Sequence, residues 1–257
     1  MSTMDGMTGG MTGQLDMGAV IKELFAVLGR NFVTFLVLTL ILVGIPALLT
    51  GYLQMTYMRA GTIFAWQPLL ANFAVAIGSL ILQCTVIYGA VTDLNGKRAS
   101  LGACLSVGLA SFLPVLGIGI LFYIACVIGF ILLIVPAFLL ITAWIVAVPV
   151  YVAERPGLIA SFGRSAELTR GNRWRIFALL IVYIVVFIII EAVTGVFGNA
   201  SRIASGAGIP MFQALFLTPL IAVVSGLVTS TGVATLYVEL RRVRDGVGPS
   251  ELAAVFD

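Results

Sequence analysis

Charge is missing from most of this chain, and where it is missing constrains what the chain can fold into. No Asp, Glu, Lys or Arg occurs between Arg30 and Arg59, Arg59 and Asp93, Arg98 and Glu154, or Arg202 and Glu239. A fifth stretch, from Arg175 to Arg202, is interrupted by Glu191 alone. Soluble domains carry roughly 25% charged residues, whereas here 10% are charged and 61% hydrophobic. A helix needs about 20 apolar residues to cross the hydrocarbon of a bilayer. Within lipid, a helix satisfies its own backbone hydrogen bonds. The expected fold is therefore all-α: a polytopic integral membrane bundle of about six transmembrane helices.

The first span is expected over Phe32 to Tyr52 and the second over Leu69 to Val91. The uncharged run from Ala99 to Ala153 is too long for one crossing and is punctuated by Pro114, Gly129, Pro136 and Pro149. It reads as a surface helix followed by two spans, with a tight turn near Gly129 to Pro136. A re-entrant hairpin over the same residues returns the chain to the same side. The fifth span is expected over Ile176 to Phe197 and the sixth over Phe212 to Val238. Residues 1–14, rich in Met, Gly and Thr, read as a disordered leader. Residues 15–245 form the membrane domain, and 246–257 a short tail.

Orientation follows from the cations. If the N-terminus is inside, the inner segments hold Lys22, Arg30, Lys97, Arg98, Arg155, Arg164, Arg170, Arg173, Arg175, Arg241, Arg242 and Arg244. Of the 14 Lys and Arg residues, only Arg59 and Arg202 then fall outside. Loops rich in Lys and Arg stay in the cytoplasm. The expectation is a multi-pass protein of the cytoplasmic membrane with both termini cytoplasmic. The net charge of +3 is too small and scattered for nucleic-acid binding.

Short amphipathic segments precede spans one, three and five, which suggests a threefold plan of interfacial helix, span, span. In Met17–Gly29, Met17, Val20, Ile21, Leu24 and Leu28 share a face, Asp16 is placed to cap, and Leu15 and Val20 stand at staple positions. In Ser100–Ala110, Leu101, Leu105 and Leu109 recur every fourth residue. In Pro156–Arg170, Leu158, Ile159, Phe162 and Ala166 share a side, with Pro156 placed to open the helix and Gly171 to close it. The segments run into their spans through Asn31-Phe32, Ser111-Phe112, and Asn172 with Trp174.

The segment Ser165-Ala166-Glu167-Leu168-Thr169-Arg170-Gly171-Asn172-Arg173-Trp174-Arg175-Ile176-Phe177 resembles the one before the fifth span in the glycerophosphoryl diester phosphodiesterase membrane-domain family. Tyr237-Val238-Glu239-Leu240-Arg241-Arg242-Val243-Arg244-Asp245-Gly246 is similar to that family's ending, and Gly29-Arg30-Asn31-Phe32 fits its N-terminal helix. The resemblance implies a six-helix protein of a bacterial inner membrane. The phosphodiesterase activity of that family resides in a separate soluble barrel with paired histidines and a metal. This chain has no histidine, so the resemblance implies no such activity.

Glu191 is the one acid well inside an apolar run, which makes it a candidate intramembrane polar site. The alternative places it near the outer interface, solvated or paired with Arg202. Arg164, Arg170, Arg173 and Arg175, with Arg241 and Arg242, are candidates for binding lipid headgroups, each basic residue contributing about 1 kcal/mol near an anionic leaflet. Simple positive-inside anchoring accounts for them too. Pro46, Pro114, Pro136, Pro149 and Pro219 are expected to kink helices. Gly117, Gly119, Gly195, Gly198, Gly226 and Gly232 are expected at close helix contacts. Cys84, Cys104 and Cys126 read as small apolar packing residues. No phosphate loop, nucleophile elbow or metal-ligand spacing occurs, so no cofactor, metal site or catalysis is expected.

The function expected first is a non-catalytic membrane protein that binds membrane lipids or partner proteins in envelope maintenance. The alternative is a transporter or lipid translocator. Convergence of Glu191, Gln213 and Thr229 around an internal polar cavity would favour that reading, and their dispersal the binding role.

Overall fold

The computed structural model describes residues 14–59, 66–132, 134–205 and 211–246. The expected leader and tail lie outside the described residues, apart from Gln14 and Gly246. Every regular element among them is helical. Six helices are long and apolar enough to cross a membrane: Phe32–Tyr57, Trp66–Leu94, Leu101–Ile131, Ala137–Glu154, Arg173–Val196 and Gln213–Asp245. The chain is a multi-pass membrane protein built as an all-α bundle.

Helix α1, Met17–Arg30, begins where the Asp16 carboxylate accepts the N–H groups of Gly18 and Ala19 at 2.9 and 3.1 Å. Leu15 and Val20 are both buried, as a hydrophobic staple requires. The helix stops at Asn31, whose side-chain amide donates to the Val27 carbonyl at 3.1 Å. The apolar stripe is split. Val20 and Val27 are buried, while Met17, Ile21 and Phe25 face outward.

The first span is made of α2, Phe32–Thr39, a π-helical turn over Leu40–Gly44, and α3, Ile45–Arg59. Pro46 has no N–H for the Leu42 carbonyl four residues back. That carbonyl faces α4, Trp66–Leu94, at Gly78, where an added Cβ would lie 1.8 Å from the Leu42 oxygen. The last span repeats the device. A π turn over Gln213–Leu217 precedes α10, Thr218–Asp245. Pro219 has no proton for the Ala214 carbonyl five residues back, and a Cβ on Gly51 would lie 2.1 Å from that oxygen. Both prolines thus coincide with backbone-to-backbone contacts between spans, which only glycine permits.

Between α4 and α10 lie α5, Leu101–Leu132; α6, Ile134–Trp144; α7, Ala147–Glu154; α8, Leu158–Leu168; and α9, Arg173–Ser205. The break between α5 and α6 falls in the expected turn. The hairpin ends beside the end of α10, because Glu154 meets Arg164 and Arg164 meets Asp245.

Two expectations are corrected. First, Ser100–Ala110 does not form a surface helix of its own; it supplies the first turns of the unbroken 32-residue α5. Ser111 stays helical, unlike Asn31 and Asn172, which end the other two segments. The packed stripe of α5 is Cys104, Gly108, Ser111, Val115 and Ile118; of the three leucines, Leu105 is half-buried against the core, while Leu101 and Leu109 are exposed. Second, α8 opens at Gly157 (φ 102°) rather than Pro156, although Gly171 (φ 89°) closes the turn behind it as expected.

The glycine expectations divide. A Cβ added at Gly226 or Gly232 would lie 3.2 Å from the Leu82 or Leu24 side chain, whereas one added at Gly119 or Gly195 would meet nothing within 4 Å. The least room for a side chain is at Gly51, Gly78 and Gly108, where a Cβ on the last would lie 2.1 Å from the Thr85 hydroxyl. The core centres on α4 and α10, around Leu82, Ile87, Phe35, Tyr237 and Leu240. Helix α9 is peripheral. It meets the bundle through Phe177 against Phe138, ring centroids 5.2 Å apart, and through its Tyr183 hydroxyl, 2.7 Å from that of Thr229.

Candidate functional site

Contacts among α1, α8 and the ends of α4, α7, α9 and α10 gather the segments that carry most of the described cations at one end of the bundle. The α1 start is tied to the α8–α9 link: Leu15 N–H donates to Asn172 Oδ1 at 2.8 Å, and Arg175 donates to the Leu15 carbonyl at 2.5 Å and to Gln14. The α1 end is tied to α4 by Arg30, 2.7 Å from Asp93 and 3.0 Å from Glu23. The hydrogen bond that Arg30 donates to Asp93 raises the Arg30 pKa above its ordinary value.

The densest cluster joins α7, α8 and α10. Glu154 accepts hydrogen bonds from the Tyr237 hydroxyl at 2.9 Å and from Arg164 Nε at 3.1 Å. Arg164 also reaches Asp245 at 2.5 Å. Arg241 lies 3.5 Å from Asp245 and 3.9 Å from Glu154. Burial alone would lower the Arg164 pKa, but the hydrogen bond to Asp245 and the charges of Glu154 and Asp245 outweigh it, so the net shift is upward.

The structure therefore sorts the six arginines singled out from sequence. Arg164 and Arg241 are spent on internal acids, and Arg175 on the backbone ahead of α1. Arg242 is 4.0 Å from Glu239 on its own helix. Arg170 and Arg173 are different. Among the described residues no carboxylate lies within ion-pairing distance of either, nor of Arg98, Arg155 or Arg244. Arg170 is exposed, Arg173 Nε is buried with no hydrogen-bond partner, and the adjacent Trp174 is 85% exposed. The Arg30–Asp93, Arg164–Asp245 and Tyr237–Glu154 pairings are not legible in sequence because these partners stand 63 to 83 residues apart.

Glu191, Gln213 and Thr229 do not converge. Glu191 is exposed on α9, and the Arg202 side chain lies outside the described residues. Thr229 is held by Tyr183. Gln213 lines a cavity of about 320 Å³ with Thr50, Gln54, Asn72, Gly195 and Thr218. Cys84, Cys104 and Cys126 are buried and unpaired, and no group of three or more His, Cys, Asp or Glu among the described residues could hold a metal. No family model, curated protein or solved structure matches the chain.

Proposed function

We propose that this membrane protein holds its basic end at the cytosolic face of a cytoplasmic membrane and binds anionic lipid headgroups there, without catalysis. The observation that carries the reading is the division of labour among the arginines. Arg30, Arg164 and Arg241 lock helices together through acids of the same chain. Arg170 and Arg173 have no such acid and lie just ahead of the exposed Trp174. Trp side chains settle at the headgroup level, and cations there attract anionic lipid by about 1 kcal/mol each. The same charge asymmetry supports the orientation.

A lipid-retention experiment tests the reading. The protein is reconstituted in nanodiscs of equal parts phosphatidylglycerol and phosphatidylcholine, then extracted into mild detergent, and the co-purifying lipid is measured. Phosphatidylglycerol is expected to be enriched, and Arg170→Gln with Arg173→Gln to lower the enrichment severalfold. Equal retention of both lipids by the wild-type protein rejects the reading.

A second reading, translocation of a polar or lipid-like solute, draws on the neutral cavity lined by Gln213 and Ala214 of the second π turn, since π turns occur often at functional sites. It is weaker because Glu191 and Thr229 stand outside that cavity.

A further inference from the structure

We propose that the amide-lined cavity between α3, α4 and α10 binds an uncharged, hydroxyl-bearing headgroup, such as the sugar of a glycolipid. The site does not rest on the lipid reading of the basic end.

Its position is fixed by the helices that build it. The lining comes from α3, the early turns of α4, Gly195 of α9, and the π turn and early turns of α10. Asn72 precedes Asp93 by 21 residues on α4, and Thr218 precedes Asp245 by 27 on α10. At 1.5 Å per residue these are about 30 and 40 Å of helix, at least the thickness of a hydrocarbon core. The cavity and the ion-pair cluster therefore sit toward opposite faces of the membrane. Tyr52 and Trp66, both exposed, stand within two turns of Gln54 and Asn72. Such side chains settle at the headgroup level.

The chemistry of the lining is neutral and rich in acceptors. Gln54, Asn72 and Gln213 bring amides, Thr50 and Thr218 hydroxyls, and no charged side chain is among the described lining residues. Thr50 and Thr218 already donate their protons to the Pro46 and Gln213 carbonyls, at 2.9 and 3.0 Å. Asn72 donates to the Pro68 carbonyl at 2.9 Å. Mostly lone pairs are left to these three. The Gln54 and Gln213 amides have no partner among the described residues. Both side chains are half-buried, and their amides are open to solvent rather than sealed in. A hydroxyl suits this set, because it gives a proton to a lone pair and takes one from an amide. A phosphate has no such proton to give and finds no cation there, and a full charge is costly at this depth. Val75, Ala214 and Ala222 supply an apolar side for the C–H face of a sugar ring.

The shape points to a lipid-borne group. The volume of about 320 Å³ falls within the range of small-ligand pockets, about 300–1,000 Å³. One wall is rigid, since a Cβ on Gly51 would stand 2.1 Å from the Ala214 oxygen. The α9 side is loose. A Cβ on Gly195 would meet nothing within 4 Å, and α9 is the least buried of the six spans. Acyl chains can leave the cavity for the bilayer on that side.

The protein is purified in a polyoxyethylene detergent, because alkyl glycosides carry the ligand chemistry themselves. It is titrated with monoglucosyl diacylglycerol, diacylglycerol, phosphatidylglycerol, phosphatidylethanolamine or free glucose. Native mass spectrometry counts bound lipid, and thermal unfolding reports stabilisation by the ligand. One glucosyl lipid is expected, held at least tenfold more tightly than diacylglycerol. Gln54→Leu and Gln213→Leu should each weaken it at least tenfold while binding both phospholipids as the wild type does. Neither variant should lower the midpoint of the unliganded protein, since neither amide has a protein partner to lose. Arg170→Gln with Arg173→Gln should leave the glucosyl lipid in place. If glucose raises the midpoint of the wild type but not of the two leucine variants, and the glucosyl lipid does not compete with it, the site stands with a free sugar as its ligand. The site is rejected if the wild type holds neither glucosyl lipid nor glucose, if the leucine variants hold them equally well, or if those variants lose a phospholipid instead. Each of these results leaves the reading of the basic end to its own test.

Discussion

Glu154 is the most consequential single side chain at the basic end. It takes hydrogen bonds from Tyr237 and Arg164 with its two oxygens and stands near Arg241. Neutralising it by Glu154→Gln leaves Arg164 and Arg241 sharing Asp245. Removing one partner of a fully buried pair costs about 3–5 kcal/mol, while exposed pairs contribute about 0–1 kcal/mol. The Glu154 side chain is 18% exposed and that of Arg164 27%, so a loss of about 1–2 kcal/mol is expected between those limits. Thermal unfolding in detergent should show a lowered midpoint for Glu154→Gln and for Arg164→Gln. The double variant should fall short of the sum, because the two act through one contact. Full additivity would mean the ion pair contributes nothing. Arg170→Gln, with no acid to release, should leave the midpoint unchanged.

At the scale of elements, the two proline-associated π turns make a sharper demand than any side chain. The Leu42 and Ala214 oxygens press on Gly78 and Gly51, so a methyl there meets backbone, which cannot rotate away. Gly78→Ala and Gly51→Ala must push spans apart, an overpacking cost of about 1–3 kcal/mol each. Gly119→Ala, with nothing within 4 Å, is the control and should be neutral or slightly stabilising. Comparing the three unfolding midpoints decides whether these helices touch through their backbones.

The same elements show why the sequence was legible only in part. The Asp16 cap and the Gly171 closure depend on residues within a few positions, and both were visible. The α5 packing face was not. Leu101, Leu105 and Leu109 make a regular stripe, but lipid is as apolar as a leucine-lined interface, so the stripe does not say which side meets protein. The small residues Cys104, Gly108 and Ser111 were the better signal, since close approach between membrane helices requires them.

For the whole molecule, hydropathy carried the prediction because a span needs only length and apolarity, and the six spans overlap their expected positions. It could not foresee which span would be peripheral. Only 6% of the α9 window is buried within the bundle, against 50% for the fourth span, although α9 is the most apolar of the six. Hydropathy measures affinity for oil, and lipid supplies that as well as protein does. The grouping of cations at one end was legible from their order along the chain; their sorting into paired and unpaired was not, because it depends on contacts between distant segments. That grouping carries a topological consequence. Lys97, in the α4–α5 link, and Arg170, behind α8, are separated by the α5–α7 hairpin yet must face the same compartment, because Arg30, Asn172 and Arg175 tie both links to α1. Cys84, Cys104 and Cys126 are buried, and replacing them with Ala or Ser gives a background for single cysteines at Lys97 and Arg170. A membrane-impermeant maleimide should label both positions in inside-out vesicles and neither in intact cells. Labelling of the two from opposite sides would break the bundle described here as well as the lipid reading built on it. Labelling of both only from outside would invert the protein and keep the bundle.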